Sequence, residues 1–111
     1  MQKLSATINE AIEKLKTENK LSVQLFIHGS MQVKFYSPKN VDLQTPHKQD
    51  ELYIISAGKG IFFYNGERIN FSTGDVLFAA AGIEHRFENF TDDFATWVIF
   101  YGPDGGEKIA E

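Results

Sequence analysis

The spacing of hydrophobic positions changes once along this chain. Between residues 5 and 18, Ile8, Ala11, Ile12 and Leu15 recur at i, i+3, i+4 and i+7, one face of an amphipathic helix, with charged residues filling the other face. Ser5 stands where an N-cap hydroxyl is expected. From Leu21 onward period two takes over. "LSVQLFIHG" and "MQVKFYSP" are alternating or aromatic runs broken at Gly29-Ser30, which predicts a hairpin. "IFFYNGERINF" is the sharpest local signal, because Asn65-Gly66 supplies two residues that tolerate the positive φ of a type I′ turn. Pairing outward from that turn puts Phe62, Tyr64, Ile69 and Phe71 on a core face, with Arg68 and Asn70 on a wetter one. Further strands are predicted at "DVLFAA", "EHRFENF" and "FATWVIFY". The tail "GPDGGEKIAE", residues 102–111, has no periodicity and is expected to be flexible. Short strands with turn signals at this spacing predict an all-β sandwich or barrel over about residues 21–101, with one short helix outside it.

Composition narrows the picture to one domain. A chain of 111 residues has no room for a second core, and one that is 42% hydrophobic with ten Phe can fold without staples. A net charge of −4 with singly scattered basic residues gives no footprint for nucleic acid, and none for an anionic membrane surface. One helix is too little for a helix-turn-helix. The absence of cysteine excludes disulfides, thiolate zinc sites and cysteine nucleophiles. "MQKLSATINEAIEKLK" lacks the continuous apolar run of a signal peptide or membrane span, so a soluble cytoplasmic protein is the expectation. Ten Phe and an apolar first hairpin exceed what one small barrel hides, so a homodimer is expected. The outer face of the first strands, including Phe26 or Phe35, is the expected contact surface.

Two stretches carry candidate chemistry. The first is His47-x3-Glu51-x6-Gly58, and the second is Gly74-x7-Gly82-x2-His85-x3-Asn89 within "GDVLFAAAGIEHRFEN". Together, in this order and on either side of the Asn65-Gly66 hairpin, they resemble the two motifs of the cupin superfamily, in its small single-domain form. His47 matches the second histidine of the first motif, Glu51 its carboxylate and Gly58 its closing glycine. The second motif is matched at Gly74, Gly82, His85 and Asn89, with Ala80 where proline is usual. The resemblance covers about residues 25–101. It implies a double-stranded β-helix, the jelly-roll or cupin barrel, around one divalent metal held by His47, Glu51 and His85. The family's first histidine falls on Thr45, a poor ligand. What remains has the composition of a 2-His-1-carboxylate triad, which leaves positions for water, substrate or dioxygen. Gln44, or a water held by Thr45, could take the vacant place.

Strand alternation supports the same residues independently. It puts Glu51, Tyr53 and Ile55 on one face and Ile83, His85 and Phe87 on another, so each ligand lines up with residues that seek the interior. A lone carboxylate there is costly to ionise, and a cation relieves that cost. Nitrogen and oxygen donors suit Zn, Fe, Ni, Mn or Cu about equally. The ordinary role of a single histidine is at the surface or satisfied in a core, and His28 keeps it. Asp50 reads as an outward residue bonded to turn amides or Lys48, Tyr53 as core that can also wall a pocket, and Trp97 as packing. Gly58, Gly74 and Gly82 read as turn residues, and Asn89 as a turn tie. The functions left standing are three. One is a metal-binding cupin with a small-molecule ligand, which the resemblance allows to be a dioxygenase or isomerase on a small oxygenated substrate. The second is a non-catalytic module that senses or sequesters a small molecule. The third, motivated by Thr45, is a barrel with a vestigial site.

Overall fold

The computed structural model describes residues 2–109. One helix and eight strands follow in the order α1 (Ile8–Glu18), β1 (Ser22–His28), β2 (Met31–Tyr36), β3 (Asp50–Ala57), β4 (Lys59–Tyr64), β5 (Glu67–Ser72), β6 (Val76–Ala79), β7 (His85–Glu88) and β8 (Ala95–Tyr101). The strands form two antiparallel sheets, β1-β2-β8-β3-β6 and β5-β4-β7. Their order is that of a jelly roll, and the helix lies outside it.

The helix starts later than the hydroxyl at Ser5 suggests. Thr7 is the N-cap, and its side chain accepts from the Glu10 amide while the Glu10 carboxylate accepts from the Thr7 amide. Such a reciprocal box needs a carboxylate or amide side chain three residues after the cap, which Thr7 has and Ser5 lacks. Asn65 and Gly66 take φ of 48° and 88°, as the hairpin demands. Phe62 pairs with Ile69 and Gly60 with Phe71, so the predicted face is formed. Phe62 and Phe71 are buried on it, whereas Ile69 sits at the edge, 48% exposed.

Between the sheets lies an aromatic core of Tyr53, Ile55, Phe62, Phe71, Phe87, Phe94 and Val98 with Ala79. Burying each large side chain contributes roughly 1.5–3 kcal/mol. A second, smaller cluster lies on the outer face of the larger sheet, where Ala11 and Leu15 of α1 cover Val23, Phe35 and Ala95. Phe35 is therefore not a contact residue for a partner. It is fully buried beneath this chain's own helix and packs edge-on against Trp97, with ring centres 4.9 Å apart.

Gly58, with φ of 89°, shows why its position takes no side chain. A Cβ there would lie 2.7 Å from the Phe94 Cα and from Thr91 Oγ1. Beyond β8, the first part of the segment expected to be flexible makes specific contacts. The Gly105 amide donates to the Lys48 carbonyl and the Glu107 amide to Asp50. Asp50 points out of the barrel yet is buried, because it accepts from the Glu107 and Ala81 amides at 2.8 and 2.9 Å. Residues 110 and 111 of that segment lie outside the described residues.

Candidate metal centre

Glu51 enters the barrel from β3, four residues after His47 in the approach to that strand, and His85 begins β7 in the opposite sheet. A backbone bond joins the two motifs, since the Gly82 amide donates to the His47 carbonyl at 2.8 Å. The side chains of His47, Glu51 and His85 each present a donor atom, and these atoms all lie within 4.8 Å of one another. Glu51 and His85 are buried, and His47 is half-buried at the mouth. The group could hold a metal ion.

The hydrogen bonds say which atoms are free. Nδ1 of His85 lies 2.8 Å from the Ile83 carbonyl, which can only accept, so the Nδ1 proton is committed there. Its Nε2 then faces Glu51 Oε1 at 2.7 Å. The contact is not aligned as a hydrogen bond, and both His85 Nε2 and Glu51 Oε2 are buried without a partner among the described residues. Something positive must stand at this gap, because an imidazole lone pair against a carboxylate is repulsive. Burial opposes charge on His85, but the Glu51 carboxylate and the Ile83 carbonyl outweigh it and raise its pKa. A proton can therefore fill the gap, and a metal ion can replace the proton. His47 differs. Burial lowers its pKa in spite of the Glu51 charge, so it offers a neutral ring.

Around these three lies a network that sequence reasoning reached only in part. Asp42, buried in the irregular stretch before β3, accepts from the Tyr36 hydroxyl, the Gln44 amide, the Gln44 side-chain amide and the Phe87 amide. A carboxylate flanked only by donors fixes which end of Gln44 faces it. The Gln44 nitrogen turns to Asp42, and the oxygen turns into the barrel, 3.1 Å from His47 Nε2 and 3.2 Å from the Tyr53 hydroxyl. Burial and then the Glu51 charge hold the Tyr53 pKa well above the usual range, so this hydroxyl stays protonated and donates.

A cavity of about 170 Å³ opens beside the cluster, lined by Gln44, His47, Glu51, Tyr53 and, from the neighbouring strands β2 and β8 of the same sheet, Lys34, Tyr36 and Phe100. Gln44 and Tyr53 are thus among the residues that line this cavity. Thr45 is exposed and does not line it. Ala80, where the cupin motif favours proline, uses its amide to donate to the Tyr64 hydroxyl at 3.2 Å, a bond that proline could not make. Asp42, Lys34 and Tyr36 were missed. Lys34 and Tyr36 had a signal, since they alternate with Val33 and Phe35, but Asp42 lies in a stretch with no period.

A family model described as Cupin domain matches residues 35–101, more than half of the chain. An uncharacterised protein of Streptomyces coelicolor is 32% identical over 63 residues, 57% of this chain and 60% of that protein. The HTH-type transcriptional activator RhaS of Yersinia pestis is 32% identical over 68 residues, 61% of this chain and 25% of the activator. The chain therefore spans only part of either relative. A solved cupin 2 conserved barrel domain protein from Salinispora arenicola superposes with a TM-score of 0.62 at 20% identity, over 73% of this chain and 74% of that chain. A solved protein from Rhizobium leguminosarum reaches 0.67 at 16% identity, over 91% and 98%. At such identities these structural likenesses establish the fold.

Proposed function

The chain belongs to the cupin family, and from that premise we propose that it holds one divalent metal ion through His47, Glu51 and His85 and binds a small molecule in the cavity beside it. One observation carries the reading. His85 Nε2 and Glu51 Oε2 are both buried without a hydrogen-bond partner among the described residues, within a cluster whose donor atoms lie within 4.8 Å of one another, while the other ring nitrogen of His85 is already committed. Unsatisfied buried polar atoms are costly, and a cation is the group that both of these can satisfy. The donor set fits. Two imidazoles and a carboxylate are a sound ligand set for Zn, Fe, Ni, Mn or Cu, and the carbonyl oxygen of Gln44, turned inward by Asp42, would be a fourth donor in place of the histidine that Thr45 replaces. The metal would supply Lewis acidity or, if it is iron, dioxygen binding. The test is metal analysis of protein purified without an affinity tag, followed by calorimetric titration with zinc. Wild type takes up one equivalent, and His85→Ala takes up none tightly while keeping its β-rich far-ultraviolet spectrum. A wild type that binds no metal would leave a vestigial site.

Two uses of such a site have different support. Membership of the cupin family allows a dioxygenase or isomerase acting on a small oxygenated substrate, tested by oxygen consumption with added iron(II). The likeness to part of a transcriptional activator favours a ligand-sensing module. Ligand binding without turnover would select the second. We also propose a homodimer, formed through the outer face of the larger sheet beyond the helix, where Phe26, Ile54, Trp97 and Ile99 line an open apolar groove. Light scattering should give twice the monomer mass, and the monomer mass at micromolar concentration would overturn it. No helix among the described residues is long and apolar enough to cross a membrane.

A further inference from the structure

The cavity contains one cation of its own. Lys34 lies in β2 between the outward residues Val33 and Phe35, and is the one Lys or Arg among the lining residues. Its ammonium stands 5.6 Å from the centre of the Phe100 ring, and the His47 ring packs on the same Phe100 at 5.1 Å. Lys34 and the metal donors are thus brought together by one aromatic side chain. No carboxylate among the described residues comes within salt-bridge distance of Lys34. It shares this with Lys16, Lys39, Lys48 and Lys59, but of these Lys34 alone lines this cavity.

The rest of the lining shows what Lys34 can serve. The Tyr36 hydroxyl and the side-chain nitrogen of Gln44 are spent on Asp42, and the Tyr53 hydroxyl on Gln44. Apart from the metal donors, that leaves Lys34 and the Ser22 hydroxyl as polar groups for a ligand, against the apolar walls Val98 and Phe100. Charge sharpens the choice. With a divalent ion bound, the carboxylates of Glu51 and Asp42 together balance it, and the ammonium of Lys34 remains as one uncompensated positive charge. A cavity of one sign with low-dielectric walls concentrates the opposite charge. A volume of about 170 Å³ is below the roughly 300–1,000 Å³ of sites for drug-sized molecules, so the ligand is small.

We propose that the cavity selects a small carboxylate monoanion whose charge is met by Lys34, an inference that rests on the metal reading above. A phosphate dianion would leave the site with an excess negative charge. A neutral amide of the same shape would leave the ammonium unanswered.

The test uses the zinc-loaded full chain and calorimetric titration with pyruvate, its neutral amide pyruvamide, and inorganic phosphate. Metal content is measured on every sample. Pyruvate should bind best. Lys34→Met, which keeps the aliphatic stem, should weaken pyruvate by roughly tenfold or more, as for loss of a charge-assisted contact, and Lys34→Arg should restore most of it. Pyruvamide should bind weakly and be indifferent to Lys34→Met. The inference is overturned if zinc is held and pyruvate binds no better than pyruvamide or phosphate. It is also overturned if Lys34→Met binds pyruvate as wild type does, which would make Lys34 a lysine that merely extends to solvent past the rim. If wild type holds no zinc, the metal reading fails first and takes this one with it.

Discussion

The two ends of the barrel are built from the same strands and filled by opposite chemistry. Inward side chains along β3 run Glu51, Tyr53, Ile55, and along β7 they run His85, Phe87. At one end they meet His47, Gln44 and an open cavity. At the other they meet Phe71, Phe90 and Phe94, whose rings pack edge-on or tilted in a closed cluster with Phe87. Among the described residues the closed end contains no buried polar side-chain atom without a partner, and it supplies the packing that holds the sheets together. The open end contains buried donor atoms without partners, a poor way to stabilise a fold and a good way to bind an ion. Because both lie on continuous strands, the closed end positions the open one.

The largest effect that could break this division lies at the closed end. Phe94 is fully buried, with ring centres 4.7 Å from Phe87 and 5.1 Å from Phe71. Phe94→Ala should cost about 3–5 kcal/mol in urea unfolding, the usual price of an emptied aromatic site. A loss below about 1 kcal/mol would mean that the aromatic end does not carry the fold.

Metal removal should act on the other end and more mildly. A ligand that binds the native state alone stabilises by mass action, about 2.7 kcal/mol at a hundredfold excess over its Kd. A chelator should therefore lower the melting temperature of the metal-loaded protein and leave the barrel folded. Outright unfolding would show a structural site, closed by the metal.

The same contrast explains what could be read in the sequence. The inward placement of Glu51 and His85 on β3 and β7 was legible because period two carries a residue into the interior wherever the strand goes, and they stand in register with Tyr53 and Phe87. The same rule failed on β2. That strand alternates Met31, Val33 and Phe35 with Gln32, Lys34 and Tyr36, and it is the apolar face that turns outward, where α1 covers Phe35, while Lys34 and Tyr36 face the cavity. Phe35 does lie on the outer face, as expected, but beneath α1 and not open to a partner, and Lys34 was missed in the cavity. Asp42 was illegible for another reason. Its partners Tyr36 and Phe87 lie 6 and 45 residues away and are brought to it by the fold, in a stretch with no regular structure.

Asp42 gives the next test. Replacing it by Asn puts an amide nitrogen among donors and leaves at least one unsatisfied, a cost of about 1–3 kcal/mol. It also removes the reason for the Gln44 oxygen to face inward. Asp42→Asn should weaken zinc binding by roughly tenfold, as for other supports of a metal ligand. Unchanged affinity in a folded variant would mean that Gln44 contributes nothing to the site.

The smallest effect should come at the border between the ends. Tyr64 pairs with His85 across β4 and β7, and its hydroxyl accepts the Ala80 amide at the position where the cupin motif favours proline. Tyr64→Phe keeps the ring against the core and deletes only that acceptor. The half-buried Ala80 amide then loses one hydrogen bond, worth about 1 kcal/mol. Zinc affinity should not move, because the hydroxyl touches none of the donor atoms and the His85 ring is held through Ile83. Parallel urea melts and zinc titrations of Tyr64→Phe and wild type measure both quantities. A shift in zinc affinity larger than the shift in stability would place Tyr64 among the supports of the metal centre. The open end would then reach one residue further along β4 than the hydrogen bonds indicate.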